Sequence, residues 1–415
     1  MGLGVLSVVA AVIVLAWLQP DSTILPEPTG PYGVGRVFYD WVDDRRVDPL
    51  APAHGTKREL PVWIWYPAAP AGVDARAAYM PPKLIKALEP PRGGLLRSGV
   101  AAVFTALATD RAQVAVHAWE DAAVAPAQAR FPVILLKPAR GAAALQYTTL
   151  AEDLASHGYV VVGSDSPYTT FAVVYGDGRV VTRSPAGAPP ETDPGHTSTL
   201  APGQPNDLAL PVIRVWVNDN QFLIDRLHVL NASGPAGRFT DRLDLDAIGA
   251  IGHSYGGAAA LQFCSEDPRC KAGIDIDGAP LGEVVTRGIG KPFLFFVADR
   301  ASFDAPESTL RDDERELLGA IRRISATAPA APRLLRLRES AHYNFSDQAL
   351  LSEPHLGRLV GGIGAIEPRR AFAVTRRYVR AFFDTHLKHM PDPLLQGPAA
   401  EFPEVRYPDA YRSHD

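Results

Sequence analysis

The sequence predicts an α/β fold in which a mostly parallel sheet is covered by helices on both faces. Short, continuously apolar runs such as "FPVILLKPA" (131–139) and "YVVVGSD" (159–165) have the length of strands buried on both sides. Segments with helical spacing separate these runs, as in parallel sheets joined by helices. The chain has 415 residues, of which 47% are hydrophobic, enough for one large core.

The predicted elements alternate along the chain, each supported by its apolar pattern and by the turn residues that bound it. We expect strands at 60–68, 131–139, 159–165, 246–253, 270–277, 291–299 and 332–340, and helices in 148–159, 206–231, 256–266 and 368–389.

Two stretches depart from this alternation. Residues 79–129 contain helical patterns before the sheet is well under way, which predicts a small helical cap near the site. Residues 168–205 are rich in Pro, Gly, Ser and Thr and predict a surface excursion, since long loops in compact domains are usually functional or disordered. Both lie within a predicted catalytic domain of residues 36–415.

The N-terminal segment is apolar, with no charged residue from 2 to 18. Its length is at the lower edge of a membrane span. We expect residues 1–20 to be an uncleaved membrane anchor; a cleaved signal peptide and a buried core helix are the alternatives. Residues 21–35 then form a tether. Either export interpretation places the catalytic domain outside the cytoplasm, in a periplasmic or extracellular location.

Composition argues against two kinds of site, one for nucleic acid and one for zinc. The formal net charge is −5 and no basic cluster stands out, so nucleic-acid binding is not expected. The two cysteines, Cys264 and Cys270, have no second Cys or His pair at zinc-ligand spacing. They form a local disulfide if the domain is exported, or remain buried thiols if the short loop prevents the geometry.

One motif indicates nucleophilic chemistry. Gly252-His253-Ser254-Tyr255-Gly256 is G-x-S-x-G, placed between a predicted strand and a predicted helix. So sharp a turn strains the serine backbone, needs glycine on both sides and exposes the hydroxyl. It also turns the N–H of Tyr255 toward the same space, at a helix N-terminus that favours negative charge. The alternative is a packing turn with an idle serine.

A reactive serine needs a base and an acid, which follow it in the order acid, then histidine, at later strand ends. His342, just after the last predicted strand, has this order; His253 adjoins the serine but is expected to point away from it. The acid candidates are Asp275, Asp277 and Asp299.

Four regions extend this pattern over most of the chain, from about residue 29 to 407. They are "TGPYGVGRVFYDWVDDRRVDP" with "RELPVWIWYPA", then "FPVILLKPARGAAALQYTTLAEDLASHGYVVVGSD", "GHSYGG" and "AHYNFSD". In this order they resemble the platelet-activating factor acetylhydrolases of the plasma and intracellular-II type, within the α/β-hydrolase superfamily. The resemblance implies an α/β-hydrolase fold, with Ser254 as nucleophile, Asp277 as acid and His342 as base.

Asp277 is favoured over Asp299 for three reasons. Gly278 follows it and permits a tight turn, its "GIDID" context matches the family's strand, and Arg300 is expected to engage the charge of Asp299. Asp299 remains the alternative acid, because the ends of adjacent strands can both reach a histidine loop.

The resemblance implies a second oxyanion donor, the backbone N–H of Arg140. The family's loop often reads His-Gly-x-Gly, whereas this chain has Pro138-Ala139-Arg140-Gly141, which places a positive charge beside the acyl or head group. The implied activity is that of a serine esterase without metal or cofactor, acting on short-chain or oxidised acyl groups of phospholipids, as a 1-alkyl-2-acetylglycerophosphocholine esterase does. A general carboxylesterase or cutinase-like polyester hydrolase is the alternative, and a non-catalytic binding protein is a third.

Overall fold

A computed structural model gives the structure of residues 23–69, 75–88, 111–188, 209–233, 237–329, 334–352, 358 and 361–407. Its strands are β1 (Thr23–Ile24), β2 (Gly33–Val47), β3 (Lys57–Ala68), β4 (Arg76–Ala78), β5 (Val114–Glu120), β6 (Phe131–Lys137), β7 (Val160–Ser164), β8 (Ala172–Val174), β9 (Val180–Thr182), β10 (Leu243–His253), β11 (Cys270–Ile276), β12 (Phe293–Val297), β13 (Leu334–Leu337) and β14 (Val405–Arg406). Its helices are α1 (Pro82–Leu88), α2 (Thr148–Ser156), α3 (Ala209–Ser233), α4 (Tyr255–Glu266), α5 (Val284–Arg287), α6 (Asp312–Thr327), α7 (Gln348–Leu351) and α8 (Pro368–Leu387).

The main sheet of the described residues has the order β1-β5-β2-β3-β7-β6-β10-β11-β12-β13-β14. From β7 to β13 every neighbouring pair is parallel, whereas β2, β3 and β14 pair antiparallel to neighbours at the two sides. The carboxyl ends of the parallel strands therefore meet at one edge, where ligands bind in open α/β sheets. The predicted fold class is confirmed.

The core lies on both faces of the sheet. Helices α2 and α8 pack on one face, against side chains such as Ile134 and Ile251. Helices α3, α4 and α6 pack on the other, against Leu135 and Ala250. Adjacent strand residues thus enter different halves of the core, which is why all seven residues of β6 are buried and its sequence shows no alternation.

The predicted cap is partly wrong. The helical pattern at 82–88 is α1, but residues 114–118, at the end of the second helical pattern (99–118), belong to strand β5. Its burial alternates at Val114, Val116 and Ala118, a period of two that places one face on the core. Residues 89–110 of the predicted cap lie outside the described residues.

Residues 23–35 pack against the domain, in contrast to the predicted tether at 21–35. Residues 23–24 pair with β5, Thr29 donates to Asp153 on α2 through both its backbone N–H (3.0 Å) and its hydroxyl (2.9 Å), and β2 begins at Gly33. The expected anchor at 1–20 lies outside the described residues. Among those that are described, no helix is both long and apolar enough to cross a membrane.

The predicted surface excursion contains a two-stranded hairpin, β8 with β9. Its remaining part, residues 189–205, lies outside the described residues. The hairpin begins next to the turn after β6, because the N–H of Phe171 donates to the carbonyl of Gly141 at 2.9 Å.

Candidate active site

Ser254 occupies a strained turn between β10 and α4. Its φ of 56° and ψ of −122° lie in a region that side-chain-bearing residues rarely adopt. A Cβ at Gly252 would overlap the backbone of Gly256, and a Cβ at Gly256 would overlap the carbonyls of Lys137 and Pro138. Glycine is therefore required at both positions, but the atoms that a Cβ would meet belong to Gly256 and to the end of β6 rather than to the serine backbone.

The turn is tied to the end of the neighbouring strand. The N–H of Ser254 donates to the carbonyl of Ile276, the last residue of β11, at 2.8 Å. Asp277 follows directly, with a positive φ of 50°. A Cβ at Gly278 would overlap the carbonyl oxygen of Ser254 and the carboxylate of Asp275, so glycine here permits the close approach of the two turns.

Asp277 is the acid that the structure brings to the predicted base. Its Oδ2 lies 2.6 Å from Nδ1 of His342, and its Oδ1 accepts from the N–H of Ala298 at 3.0 Å and from Arg300 at 2.9 Å. Burial by itself would raise the pKa of Asp277, but the hydrogen bond from His342 and the charge of Arg300 lower that pKa to about 2. The carboxylate is therefore ionised at neutral pH.

The other two carboxylates have different partners. Asp299 is exposed and accepts from the N–H of Glu339 at 2.6 Å. It also lies 3.5 Å from Arg336, so the expectation that Arg300 engages Asp299 is wrong. Asp275 is buried, accepts from the N–H of Gly278 at 2.8 Å, and has a pKa raised well above its usual value by burial.

His342 begins a short 3-10 turn, His342–Phe345, just after β13. Asn344 holds this loop, because its Oδ1 accepts from the N–H groups of Ala341 (2.8 Å) and Gly364 (2.7 Å). Beneath it, Phe345 packs on Phe296 of β12 with ring centroids 5.8 Å apart. The His342 side chain is 35% exposed, so solvent and substrate can reach its outer edge.

The loop after β6 carries the second predicted oxyanion donor. It lies against the first turn of α4, as the close approach of Gly256 to Lys137 and Pro138 shows. The Arg140 guanidinium lies 5.9 Å from the ring centroid of Tyr255, so the residues of the two predicted donors are neighbours. In the described part of the chain, no group of three or more His, Cys, Asp or Glu side chains could hold a metal ion.

Comparisons with known proteins identify relatives that are named as esterases. The family model described as "Platelet-activating factor acetylhydrolase, isoform II" matches residues 225–394, which include Ser254, Asp277 and His342. Over 422 residues the chain is 26% identical to a protein of Arthroderma benhamiae named "Probable 1-alkyl-2-acetylglycerophosphocholine esterase", covering 94% of this chain and 95% of that protein. Residues 225–394 are therefore similar to the platelet-activating factor acetylhydrolase family, and most of the chain is similar to the Arthroderma esterase.

Two further relatives differ in how much of their length they share with this chain. The platelet-activating factor acetylhydrolase of Bos taurus is 26% identical over 276 residues, which are 62% of this chain and 57% of the cattle protein. A solved structure, the ferulic acid esterase from Streptomyces cinnamoneus, is 31% identical with a TM-score of 0.71 and covers 93% of this chain and 99% of that one.

The two cysteines of this chain form a disulfide. It joins Cys264, near the end of α4, to Cys270, the first residue of β11, across a Cα–Cα distance of 5.1 Å. The sequence left this pairing open, because a loop of five residues can prevent the required geometry. Here the helix end and the strand start lie close enough for the bond.

Sequence reasoning missed His253 and Tyr147. His253 was expected only to point away from Ser254; in the structure its buried ring lies against that of His342, with centroids 4.5 Å apart, and its Nδ1 bonds to the Tyr147 hydroxyl at 2.8 Å. The alternation of side chains along β10 is a signal that could have predicted the position of His253. His253 shares a face with Ile251, whose side of the core also contains Phe345 of the histidine loop.

Proposed function

We propose that the chain is a serine esterase that hydrolyses carboxylic esters through an acyl-enzyme on Ser254. The observation that carries the proposal is the 2.6 Å hydrogen bond between His342 Nδ1 and Asp277, beside the strained Ser254 turn. Its esterase relatives support a carboxylic ester hydrolase, and this arrangement supports the serine mechanism.

In the first half-reaction, Nε2 of His342 accepts the proton of the Ser254 hydroxyl as its oxygen bonds to the ester carbonyl carbon. Asp277 keeps the Nδ1 proton in place and stabilises the imidazolium that forms. The imidazolium then protonates the departing alcohol oxygen as the C–O bond breaks. Water attacks the acyl-enzyme by the same route, releasing the acid and restoring Ser254.

The negative charge on the carbonyl oxygen needs donors that are already in place. The N–H of Tyr255, at the start of α4, and the N–H of Arg140 would supply them. Loss of one such donor costs about 3–4 kcal/mol of transition-state stabilisation. Both are main-chain donors, so the departure from His-Gly-x-Gly leaves this role available to Arg140.

Phospholipids with short or oxidised acyl groups are the proposed substrates. The names of the Arthroderma and cattle relatives support this class, and Arg140 adds a cation beside the site for an anionic head group.

The second candidate is a carboxylesterase of wider specificity, such as one acting on feruloyl or polyester substrates. It is favoured by the higher identity to the Streptomyces ferulic acid esterase. A non-catalytic binding protein on the same scaffold is the third.

We also propose that the catalytic domain lies outside the cytoplasm and that residues 1–20 attach it to a membrane. The Cys264–Cys270 disulfide supports an oxidising compartment. Deleting residues 1–20 should release active, soluble enzyme from the membrane fraction. If the full-length sequence is expressed and the mature product is soluble and lacks residues 1–20, those residues are a cleaved signal peptide instead.

Labelling with a fluorophosphonate tests the enzyme proposal. The wild type should be labelled at Ser254, and Ser254→Ala should be neither labelled nor active. The control Ser265→Ala, near the end of α4, should behave as wild type. Folded wild type without labelling would favour a binding protein. Hydrolysis rates over p-nitrophenyl esters, short-chain and oxidised phospholipids, and feruloyl esters would then separate the two esterase candidates.

A further inference from the structure

The hydroxyl of Tyr147 connects two parts of the proposed site. Tyr147 ends the 3-10 turn that leads into α2, and it is buried. Its Oη accepts from the N–H of Ala139, in the loop after β6, at 3.0 Å. The same oxygen lies 2.8 Å from Nδ1 of His253.

The hydrogen bonds of Tyr147 indicate where its proton lies. The Ala139 N–H can only donate, so the Tyr147 oxygen accepts there. Among the described residues, the acceptor within reach of the hydroxyl proton is Nδ1 of His253. In this arrangement the neutral ring carries its proton on Nε2, which is buried and has no hydrogen-bond partner among the described residues. Burial, and next the charge of His342, hold the pKa of His253 well below its ordinary value, which agrees with a neutral ring.

The far end of the connection is the proposed general base. The rings of His253 and His342 lie with centroids 4.5 Å apart at an interplanar angle of 37°. On its other side, His342 is held by Asp277 at 2.6 Å. A neutral His253 provides a packing surface that does not repel the imidazolium formed during catalysis, whereas a charged one would.

We infer that Tyr147 and His253 are positioning residues that couple the general base to the oxyanion loop. The inference rests on the proposed function. Tyr147 holds Ala139, the residue before the proposed donor Arg140, and through His253 the same hydroxyl fixes the ring behind His342. The Tyr147 oxygen thus fixes two groups relative to each other. One is His342, which accepts the serine proton, and the other is the loop with the Arg140 N–H, which receives the oxyanion charge. This predicts an effect on kcat with little effect on KM.

Three substitutions separate the parts of the connection. Tyr147→Phe removes the hydroxyl and both of its bonds. His253→Phe keeps an aromatic face toward His342 but loses the acceptor, and His253→Asn keeps an acceptor near the Nδ1 position but loses the ring. Tyr159→Phe is the matched control, because it removes another buried tyrosine hydroxyl, one bonded to Asp384 of α8 at 2.7 Å.

We expect Tyr147→Phe to lower kcat by about 30-fold, since it breaks two hydrogen bonds and leaves a buried N–H unpaired. His253→Phe should lower kcat by about 5- to 10-fold, roughly the value of one such bond, and the double variant should be no slower than Tyr147→Phe alone. His253→Asn should remain fully sensitive to a second Tyr147→Phe substitution, whereas in His253→Phe the same substitution should add only about 3- to 6-fold, the effect of losing the Ala139 bond. Tyr159→Phe should lower the melting temperature and leave kcat unchanged.

The measurements are kcat, KM, melting temperature and fluorophosphonate labelling for each variant. A kcat for Tyr147→Phe within twofold of wild type, in protein of wild-type fold, would overturn the inference, as would additive losses in the double variant. Failure of the wild type to label or to turn over would instead reject the proposed function. A change confined to melting temperature, or to KM, would make Tyr147 a structural or substrate-contact residue.

Discussion

Replacing Asp277 by Asn tests the assignment of the acid most directly. The side chain keeps its shape but loses its charge, and its amide can present an N–H where the carboxylate accepts from His342 Nδ1 at 2.6 Å. The imidazole is then held in the wrong tautomer, with its proton on the nitrogen that must receive the serine proton. Arg300 also loses the carboxylate that it contacts at 2.9 Å.

The expected size follows from the same contact. Loss of the orienting carboxylate in a Ser-His-Asp triad lowers kcat by about 10⁴, or about 5.5 kcal/mol at 1.36 kcal/mol per tenfold change. Asp299→Asn should cost roughly tenfold or less, because Asp299 is exposed and contacts Glu339 and Arg336 rather than His342.

The assay is kcat on a p-nitrophenyl ester at saturating concentration, with the melting temperature of each variant as a control for folding. Fluorophosphonate labelling should remain specific for Ser254 and become slower in Asp277→Asn. If Asp299→Asn is the more damaging change while both variants stay folded, the assignment is refuted and Asp299 is the acid.

The other predictions concern packing, pH and the disulfide. Gly256→Ala should lower kcat by at least about 100-fold, because its methyl group displaces the Lys137 carbonyl and the oxyanion loop. Gly319→Ala on α6, where the added methyl would meet only the guanidinium end of Arg323, should leave kcat unchanged. Burial raises the pKa of Asp347 to about 7, so the unfolded state loses this proton first and stability falls as pH rises from about 4 to 7. Asp347→Asn should remove that loss, which is worth up to about 4 kcal/mol in the free energy of unfolding. In urea unfolding, the stability of the variant relative to wild type should therefore increase from pH 5 to pH 8, and an unchanged difference would contradict the prediction. Replacing both disulfide cysteines by Ala should cost about 2 kcal/mol for so short a loop, and two titratable thiols in denatured, unreduced wild type would contradict the bond itself.

Much of the fold could be predicted from the sequence, because in most elements the pattern of apolar residues matches the burial found in the structure. The seven buried residues of β6 and the strand–turn–helix around Ser254 each carry a local signal that the tertiary structure does not override. Strand β5 is the exception. Its short run "VAVHAWE" follows a stretch rich in alanine, and only its pairing with β1, β2 and β4 makes it a strand.

The candidate site divides in the same way. By itself the sequence determined which residue types stand at the strand ends and in what order. The elbow at Ser254 was accessible because one of its steric requirements is local: a Cβ at Gly252 would overlap the backbone of Gly256, four positions further along. Only the tertiary structure decided that Arg300 contacts Asp277, that Cys264 reaches Cys270, and that His253 lies behind His342. Each of these depends on how neighbouring strands and helices are placed in space, since a side chain selects its partner by distance and direction, which residue order does not contain.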